Sequence, residues 1–433
     1  MDRNRHILRM ISFALTFAAL SLSSGSVWAV YAPEPRSGGK FFHDKGTRSA
    51  EEYQYMGRTG ARQFENYYYG QPQYGDGVQY KALRLKPYAS YTGEYDSNIR
   101  LQDDDGDGDY ISRLNWGLDA ELPMQEGKYV VGGGVHSESE WFATHGEENN
   151  TDWVYQGTAE ANFNHFSIEI FEEFRDTSSR AGSELTERDE RNENYLDGLI
   201  TIPFGEFFVE TEVSHFNLEF EDDARAMFDR SEFSAIPRIG MNVGDRTQAL
   251  LEYDWTYINY DQGGERDGMV NQAALGVRGF LGQGDLVSYQ AWAGWQFRNY
   301  DSDLRDDYNG FIFRTDVEYR RSQVSRFFME ASREPVESVS VNNSFIVRNE
   351  IAGGWRRQLS EKLRGELRGG VGFYNYSDDR FDFFWEPGVR LDYRLPGDFA
   401  SLFTEYRFSA RHSDAALQDY TRHIANGGVR IEL

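Results

Sequence analysis

Three scarcities narrow the class of protein that this sequence encodes. It has no cysteine, which excludes disulfide frameworks and cysteine-based metal sites. Mean hydropathy is −0.68, and beyond the N-terminus no run approaches the roughly 20 apolar residues of a membrane-spanning helix. Positive charge is also scarce, since 45 Lys and Arg stand against 71 Asp and Glu, a net charge of −26. We therefore expect no nucleic-acid partner, because binding to a phosphate backbone needs a cationic surface.

The N-terminus has the three parts of a secretory signal peptide. Basic residues in "MDRNRHILRM" precede the apolar stretch "ISFALTFAALSL", and "SVWA" ends in a small-x-small pattern at Ala29. The apolar stretch is too short to span a bilayer, which disfavours a retained membrane anchor. We expect residues 1–29 to be a signal peptide and the protein to be exported.

Apolar and polar residues alternate from Leu83 onward in segments of about 10 to 14 residues, which predicts strands because successive side chains take opposite faces. In "FDFFWEPGVRLDYRL", positions 381–395, one face is apolar throughout. The other face carries charges of both signs, among them Asp382, Glu386 and Arg390. Such a strand separates an apolar medium from a polar one.

The connections between these segments alternate in length. Short turns such as "FLGQGDL" and "RLPGDF" are separated by longer polar connections such as "LQDDDGDGDY" and "FEDDARAMFDRSE". The segments add up to about 18 strands, an even number that begins and ends on the short-turn side. We therefore predict an all-β fold, a transmembrane antiparallel up-and-down β-barrel of the bacterial outer-membrane type, with short periplasmic turns and longer outer loops.

A soluble β-sandwich is the alternative, because half-buried sandwich strands also alternate. Sandwich strands are usually about 5 or 6 residues long, roughly half the length of these segments. The largest rings of the apolar faces also concentrate near the segment ends, as in the two aromatic girdles of a membrane barrel. These rings are Trp141, Trp153, Tyr195, Phe233, Tyr257 and Tyr300 toward the loops, and Phe163, Phe166, Phe207, Phe327 and Phe399 toward the turns. Both features favour the membrane barrel.

The polar strand faces are then expected to line a water-filled lumen, because charges at this density are costly to bury without partners. The residues predicted to line the lumen and substrate path are Arg84, Lys86, Arg238, Arg278, Arg298, Arg314, Asp316, Glu318, Arg364, Glu366, Arg368, Asp382, Glu386, Arg390 and Arg394. The planar guanidinium of arginine suits two-point contacts with carboxylates and sugar hydroxyls. Alternatively, these charges pair across strands and stiffen the wall. The sequence leaves both interpretations open.

One short motif carries a family resemblance. The segment "LKPYASYTGEYDSNIRLQ" is a first strand ending in "YDSNI" (95–99), followed by an acidic loop and a second amphipathic strand. This layout resembles the opening of the family called putative outer-membrane beta-barrel porin type 2. The resemblance covers residues 81–433 and implies a link to exopolysaccharide synthesis and secretion, with which members of the family are often associated. It brings no catalytic residues.

Residues 30–80 lie between the signal peptide and the predicted barrel of residues 81–433. They are rich in glycine, tyrosine and charge, and show no sustained period. Little of this segment is apolar enough to fold alone, which favours a mostly irregular periplasmic extension. A partial plug and a docking segment for an inner-membrane partner are the alternatives.

The acidic stretch "DDDGDGD" at 103–109 suggests a calcium loop because Asp103, Asp105 and Asp107 alternate. Position twelve of that loop is Leu114, where a bidentate carboxylate is needed, so the EF-hand interpretation fails. A weak, non-specific cation-binding loop near lipopolysaccharide phosphates and a solvated acidic loop remain as alternatives. No other metal site and no cofactor are expected.

Catalysis finds little support in the sequence. In "VHSESEW", His136 and Ser137 take opposite strand faces, and no serine, histidine and acid pattern specifies a triad. The leading hypothesis is therefore a non-enzymatic outer-membrane channel that exports an exopolysaccharide. The alternatives are a general or solute-specific uptake porin and a structural or adhesive surface barrel.

The expected partners follow from these hypotheses. They are outer-membrane lipid and lipopolysaccharide, a polysaccharide or small solute, the barrel-assembly machinery that reads the terminal strand "NGGVRIEL", and a periplasmic or inner-membrane polysaccharide synthesis complex. The expected location is the outer membrane of a Gram-negative bacterium.

Overall fold

The structure is a computed structural model. It describes residues 77–432 apart from 104–105, 181–183, 185–187, 245, 263, 283–285, 342, 398 and 417. The predicted signal peptide, residues 30–76 of the predicted extension and Leu433 lie outside the described residues.

The described chain is almost entirely strand, as the alternating pattern predicts. The strands are β1 (Val78–Tyr80), β2 (Leu83–Asp96), β3 (Asp109–Met124), β4 (Tyr129–Phe142), β5 (Asn150–Asn162), β6 (Ser167–Ser179), β7 (Asp189–Phe204), β8 (Phe207–Phe220), β9 (Arg230–Asn242), β10 (Thr247–Tyr260), β11 (Gly268–Leu281), β12 (Val287–Tyr300), β13 (Tyr308–Ser322), β14 (Ser325–Glu337), β15 (Phe345–Gln358), β16 (Leu363–Tyr376), β17 (Phe381–Arg394), β18 (Ala400–Ser413) and β19 (Tyr420–Glu432). Two short 3-10 helices, Gly146–Glu148 and Ala226–Phe228, lie in connections. No helix in the described part of the chain is long and apolar enough to span a membrane.

Each strand from β2 to β19 pairs antiparallel with its neighbours in sequence, and β19 pairs back onto β2. The sheet is therefore a closed barrel of 18 strands, which confirms the predicted architecture and strand number. Closure leaves no unpaired edge, a requirement in lipid because water is absent there to satisfy backbone groups. The short β1 is additional and pairs with the first residues of β2, Val78 with Leu85 and Tyr80 with Leu83.

The two ends of the barrel differ in the length of their connections. At one end the connections have two to five residues, and at the other four to twelve. Short turns lie on the periplasmic side of bacterial outer-membrane barrels and longer loops on the outside. We use the words periplasmic and outer for the two ends in this sense.

The two faces of the wall have opposite chemistry, as β17 illustrates. Trp385, Val389 and Leu391 are exposed on the side of the wall that points away from the lumen, which we call the outer face. Arg390 and Asp392 are buried on the side that points toward the lumen, which we call the inner face. The register with β16 and β18 preserves this alternation, because residues of one face pair with residues of the same face. The wall thus exposes apolar side chains and buries charged ones, the reverse of a soluble protein.

Two of the rings predicted for the outer aromatic girdle point inward instead. Tyr195 and Tyr300 are buried, and the Tyr300 hydroxyl donates to the carbonyl of Ser344 at 2.9 Å. The physical reason is strand parity: Tyr195 shares the face of Arg191 and Tyr300 that of Arg298. The girdle prediction was wrong for these two residues, and it holds for Trp141, Phe233 and Tyr257, which are exposed on the outer face.

Candidate functional site

All fifteen residues predicted to line the lumen share a strand face with the buried polar or charged side chains of their strands. They do not form one cluster, because they are distributed over seven strands around the ring. Arg84 lies at the periplasmic end, where its guanidinium is half-exposed and 3.6 Å from Glu121. Their role in transport stays a prediction.

The densest group of these residues lies on β16, β17 and β18. We call it the arginine–carboxylate wall, and its members are Arg364, Arg368, Glu386, Arg390, Asp392, Glu405 and Arg407. Arg390 is 2.8 Å from Asp392 and 3.2 Å from Glu405. Arg368 also contacts Glu405, and Arg407 lies 3.3 Å from the same carboxylate. Glu405 is therefore shared by three arginines.

The other two carboxylates of this wall, Asp392 and Glu386, also contact its arginines. Asp392 accepts Arg390 and lies 3.5 Å from Arg364, while Glu386 lies 3.9 Å from Arg407. Four arginines thus share three carboxylates on three adjacent strands. Charge-assisted contacts of this kind are stronger than neutral hydrogen bonds, and their number keeps each guanidinium oriented.

A glycine makes room for two of these side chains. Gly388 lies on the inner face of β17 between Glu386 and Arg390. A Cβ atom there would stand 3.2 Å from the Nε atom of Arg368 and 3.3 Å from the Cγ atom of Arg407. Both arginines can therefore lie against the strand and converge on Glu405. Sequence reasoning missed this role, because a glycine in a strand does not reveal which neighbours cross it.

A second group lies on β8, β9, β10 and β13. Arg238 contacts Glu212 at 2.6 Å and Glu252 at 2.7 Å, and all three side chains are buried. Arg314 reaches the same Glu252 at 3.2 Å. The prediction that charges pair across strands is thus realised here, and burial makes a paired arrangement necessary.

A third group of charged residues lies in the halves of β2, β3 and β4 that are nearer to the outer end of the barrel. Arg113 makes two hydrogen bonds to Glu94, at 2.6 and 2.7 Å, and a third contact to Glu140 at 2.7 Å. Arg180 and Arg188, from the connection between β6 and β7, also contact Glu140, at 2.8 and 2.9 Å. None of these five residues was in the predicted set. Their strand faces were readable from alternation, but the contribution of a loop to the inner wall was not.

Aromatic rings are the other inner-wall component that the sequence did not reveal. The guanidinium of Arg390 lies 4.6 Å from the ring centre of Phe403, and that of Arg314 lies 5.1 Å from Trp292. Arg430 covers Tyr88 in the same way at 4.8 Å. A guanidinium above a ring face is attracted by the quadrupole of the ring. The arginines therefore make large rings compatible with a polar wall.

One outer connection folds into the barrel mouth. We call residues 338–341, between β14 and β15, the mouth segment. Ser338 and Val339 are fully or almost fully buried, and Val339 belongs to an apolar cluster with Phe228 and Tyr195. Strands β7 and β14 are far apart around the ring, so this cluster forms through the interior of the barrel.

Glu337 anchors the start of the mouth segment to the nearby strands β10 and β12. Its carboxylate contacts Arg298 and accepts the Tyr260 hydroxyl at 2.7 Å and the Tyr300 hydroxyl at 3.3 Å. Glu337 is buried at the end of β14. The contact links Arg298, one of the predicted lumen residues, to the start of the mouth segment.

The acidic loop predicted as a weak cation site is only partly described. Asp105 lies outside the described residues. Asp107 is 3.8 Å from Arg100 and 3.6 Å from His145. Across the part of the chain that the structure covers, no group of three His, Cys, Asp or Glu side chains could hold a metal ion.

A closed barrel with an apolar outer face and a charged inner wall defines the class of outer-membrane β-barrel channels. The chain belongs to the family described as "Putative beta-barrel porin 2", whose family model matches residues 76–433. This confirms the family suggested by the "YDSNI" motif and places the protein in the bacterial outer membrane. Family membership points to a porin-like channel rather than an enzyme.

Solved structures with a similar course of the chain include the outer membrane protein opdK. OccK2 (OpdF) of Pseudomonas aeruginosa has 11% identity and a TM-score of 0.49, over 81% of this chain and 98% of the other. OccAB3 of Acinetobacter baumannii and opdK of Pseudomonas aeruginosa each have 11% identity and a TM-score of 0.46, over 81% of this chain and 99% of theirs. Likeness at this level says nothing about what passes through this barrel. No curated protein matches the sequence.

Proposed function

We propose that this outer-membrane channel exports an acidic or hydroxyl-rich polysaccharide along its inner wall. The observation that carries the proposal is the arginine–carboxylate wall, in which four arginines share three carboxylates. An arginine that already shares its carboxylate can exchange part of that contact for a sugar carboxylate or hydroxyl. The family resemblance, with its association with exopolysaccharide loci, supports the direction of transport.

The same geometry suits transit better than retention. A polymer held tightly at one place would not advance, so a conducting wall needs several sites of modest affinity. The resident carboxylates Asp392 and Glu405 compete with any anionic sugar for the guanidinium groups. They therefore limit how tightly a single arginine binds each passing unit, while keeping that arginine extended along the wall.

The experiment replaces Arg314, Arg364 and Arg390 together by glutamine in the producing strain. The expected result is less polymer outside the cell and more polymer or precursor in the periplasm, with unchanged growth on small nutrients. The control is Arg321→Gln with Arg357→Gln, because both side chains are exposed near the periplasmic ends of β13 and β15. The control should export normally.

An uptake porin is the outcome that would replace the proposal. A deletion strain that secretes normal polymer but grows poorly when one small solute is limiting would show it. Equal export by the triple variant and its control, at equal amounts of folded protein, would remove the arginines from the transport path.

A further inference from the structure

Two arginines hold the mouth segment without a carboxylate. Arg266, from the connection between β10 and β11, donates to the carbonyl of Ser338 at 3.0 Å and to that of Ser340 at 2.5 Å. Arg305, from the connection between β12 and β13, donates to the carbonyl of Val341 at 2.9 Å. Among the residues that the structure describes, no carboxylate oxygen forms an ion pair with either guanidinium.

Other arginines near the outer end are arranged differently. Arg180, Arg188 and Arg230 each contact a carboxylate, at 2.8, 2.9 and 2.8 Å. Arg266 is buried like Arg230, with 3% of its surface exposed, and it lies 4.8 Å from the ring centre of Phe228. Its charge is therefore enclosed by a ring and backbone carbonyls instead of a counter-charge.

This arrangement leaves hydrogen-bonding capacity unused. The Nε atoms of Arg266 and Arg305 are buried and have no hydrogen-bond partner within the described chain. Burial, and next the nearby charge of Arg266, lower the pKa of Arg305 from its ordinary value, while the nearby Glu265 carboxylate acts in the opposite direction. Arg266 is a buried cation without an ion-pair partner in the described chain, which is unfavourable. A carboxylate offers either guanidinium stronger, charge-assisted hydrogen bonds than a backbone carbonyl does.

We propose that Arg266 and Arg305 form a carboxylate-binding site at the outer mouth, occupied in the closed form by the backbone carbonyls of the mouth segment. A carboxylate-bearing sugar unit then takes the two guanidinium groups from these carbonyls and releases the segment from the mouth. The acidic ligand thereby opens its own path. The inference rests on the proposed function for the source of the carboxylate, a uronate-type unit of the polymer.

The remaining contacts of the mouth segment are compatible with release. Glu337 stays bound to Arg298 and Tyr260 at the end of β14, so the anchor of the segment does not depend on Arg266. The side chain of Val341 is exposed. Movement of residues 338–341 requires the loss of the carbonyl contacts and of the apolar packing of Val339. It also requires the loss of the two hydrogen bonds that the Glu184 carboxylate accepts from the Ser338 hydroxyl and the Val339 backbone N–H. The strand pairing of the barrel stays intact.

The absence of cysteine makes the movement directly measurable. We would introduce Val341→Cys on the mouth segment and Asn299→Cys on the exposed outer face of β12, attach spin labels, and measure their distance in the full chain in lipid vesicles. The probes are a hexamer of a uronic acid and a neutral hexasaccharide at equal ionic strength. The uronic acid hexamer should convert more than half of the population to a second, longer distance, and the neutral sugar should leave the distance unchanged.

Matched variants separate ligand release from simple loosening. Arg266→Gln with Arg305→Gln should show the longer distance without any probe and no further change with it. Arg100→Gln is the control, since Arg100 also lies in an outer connection but pairs with Glu147 at 2.8 Å, and it should respond like the parent. An unchanged distance in the parent protein at saturating uronic acid hexamer, or an equal response to the neutral sugar, would overturn the proposal even if the double variant does not fold.

Failure of this inference and failure of the proposed function give different results. If the segment responds to the uronic acid hexamer while a deletion strain still secretes its polymer, the carboxylate site stands and export is lost. If secretion depends on the barrel but the label distance never responds, export stands and the carboxylate site is lost.

Discussion

Three consecutive residues of β17 show how differently the two faces of the wall treat the same kind of change. Val389 is exposed on the outer face, while Gly388 and Arg390 lie on the inner face beside Arg368, Arg407 and Glu405. Outside, the surrounding medium is uniform and apolar, so only the polarity of a side chain matters. Inside, the surroundings are specific side chains, so size and charge both matter. The depth of a strand position and its face together decide what a substitution costs.

The largest effect is expected from a charge on the outer face. Val389→Arg places a guanidinium in lipid near the middle of β17 and should lower the free energy of unfolding by about 2–4 kcal/mol. Tyr393→Arg, next to the last residue of the strand, is the matched control and should cost about 0–1 kcal/mol, because the penalty falls near the interface. Urea unfolding in lipid vesicles measures both. Equal costs would show that the outer face of β17 does not meet the bilayer as inferred.

An intermediate effect is expected from volume on the inner face. Gly388→Leu would push against Arg368 and Arg407, and overpacking of this kind costs about 1–3 kcal/mol. Gly369→Ala on the neighbouring strand is the control, because its Cβ atom would meet its nearest neighbours at an ordinary 3.7 and 3.8 Å. The same unfolding measurement applies. If both variants unfold alike, Gly388 is not the residue that lets the two arginines converge.

The smallest effect on folding is expected from removal of an inner charge. Arg390→Leu leaves Asp392 with Arg364, and Glu405 with Arg368 and Arg407. The loss of stability should therefore stay well below the about 3–5 kcal/mol of a buried charge left unpaired. The pore should become more cation-selective, because one positive charge is lost from the wall, and the reversal potential across a planar bilayer measures this.

The half-exposed Arg84 at the periplasmic end provides the control for this measurement. Arg84→Leu should change the reversal potential less than Arg390→Leu, since water screens its charge and its pair with Glu121 is surface-exposed. A barrel that assembles with Val389→Arg but not with Arg390→Leu would place the two faces the wrong way round.

Much of the fold could be predicted because a membrane barrel is built from local rules. Strand faces alternate residue by residue, and adjacent strands are adjacent in sequence. The inward position of Arg314, Arg364 and Arg390 therefore needed only counting. The inward position of Tyr300 follows from the same counting. The girdle prediction was wrong for Tyr300 because alternation along the strand, and not the size of a ring near its end, decides which face a side chain takes.

The pairing of charges and the path of the loops were not predictable from the sequence. Strand alternation places Glu405 on the inner wall but does not show that it is shared by three arginines, since that depends on register and on the space left by Gly388. Arg180 and Arg188 come from a loop with no periodic pattern, yet they complete the group around Glu140.

The sequence by itself determined the closed barrel, its 18 strands and the two faces of its wall, because each of these follows from period-2 alternation and connection length. Only the tertiary structure decided which arginine meets which carboxylate, and that Arg266 and Arg305 meet carbonyls of the mouth segment instead. The physical reason is distance along the chain. Arg266 and Ser338 are 72 residues apart, and contacts of that range depend on how the ring closes and on which loops fold into it.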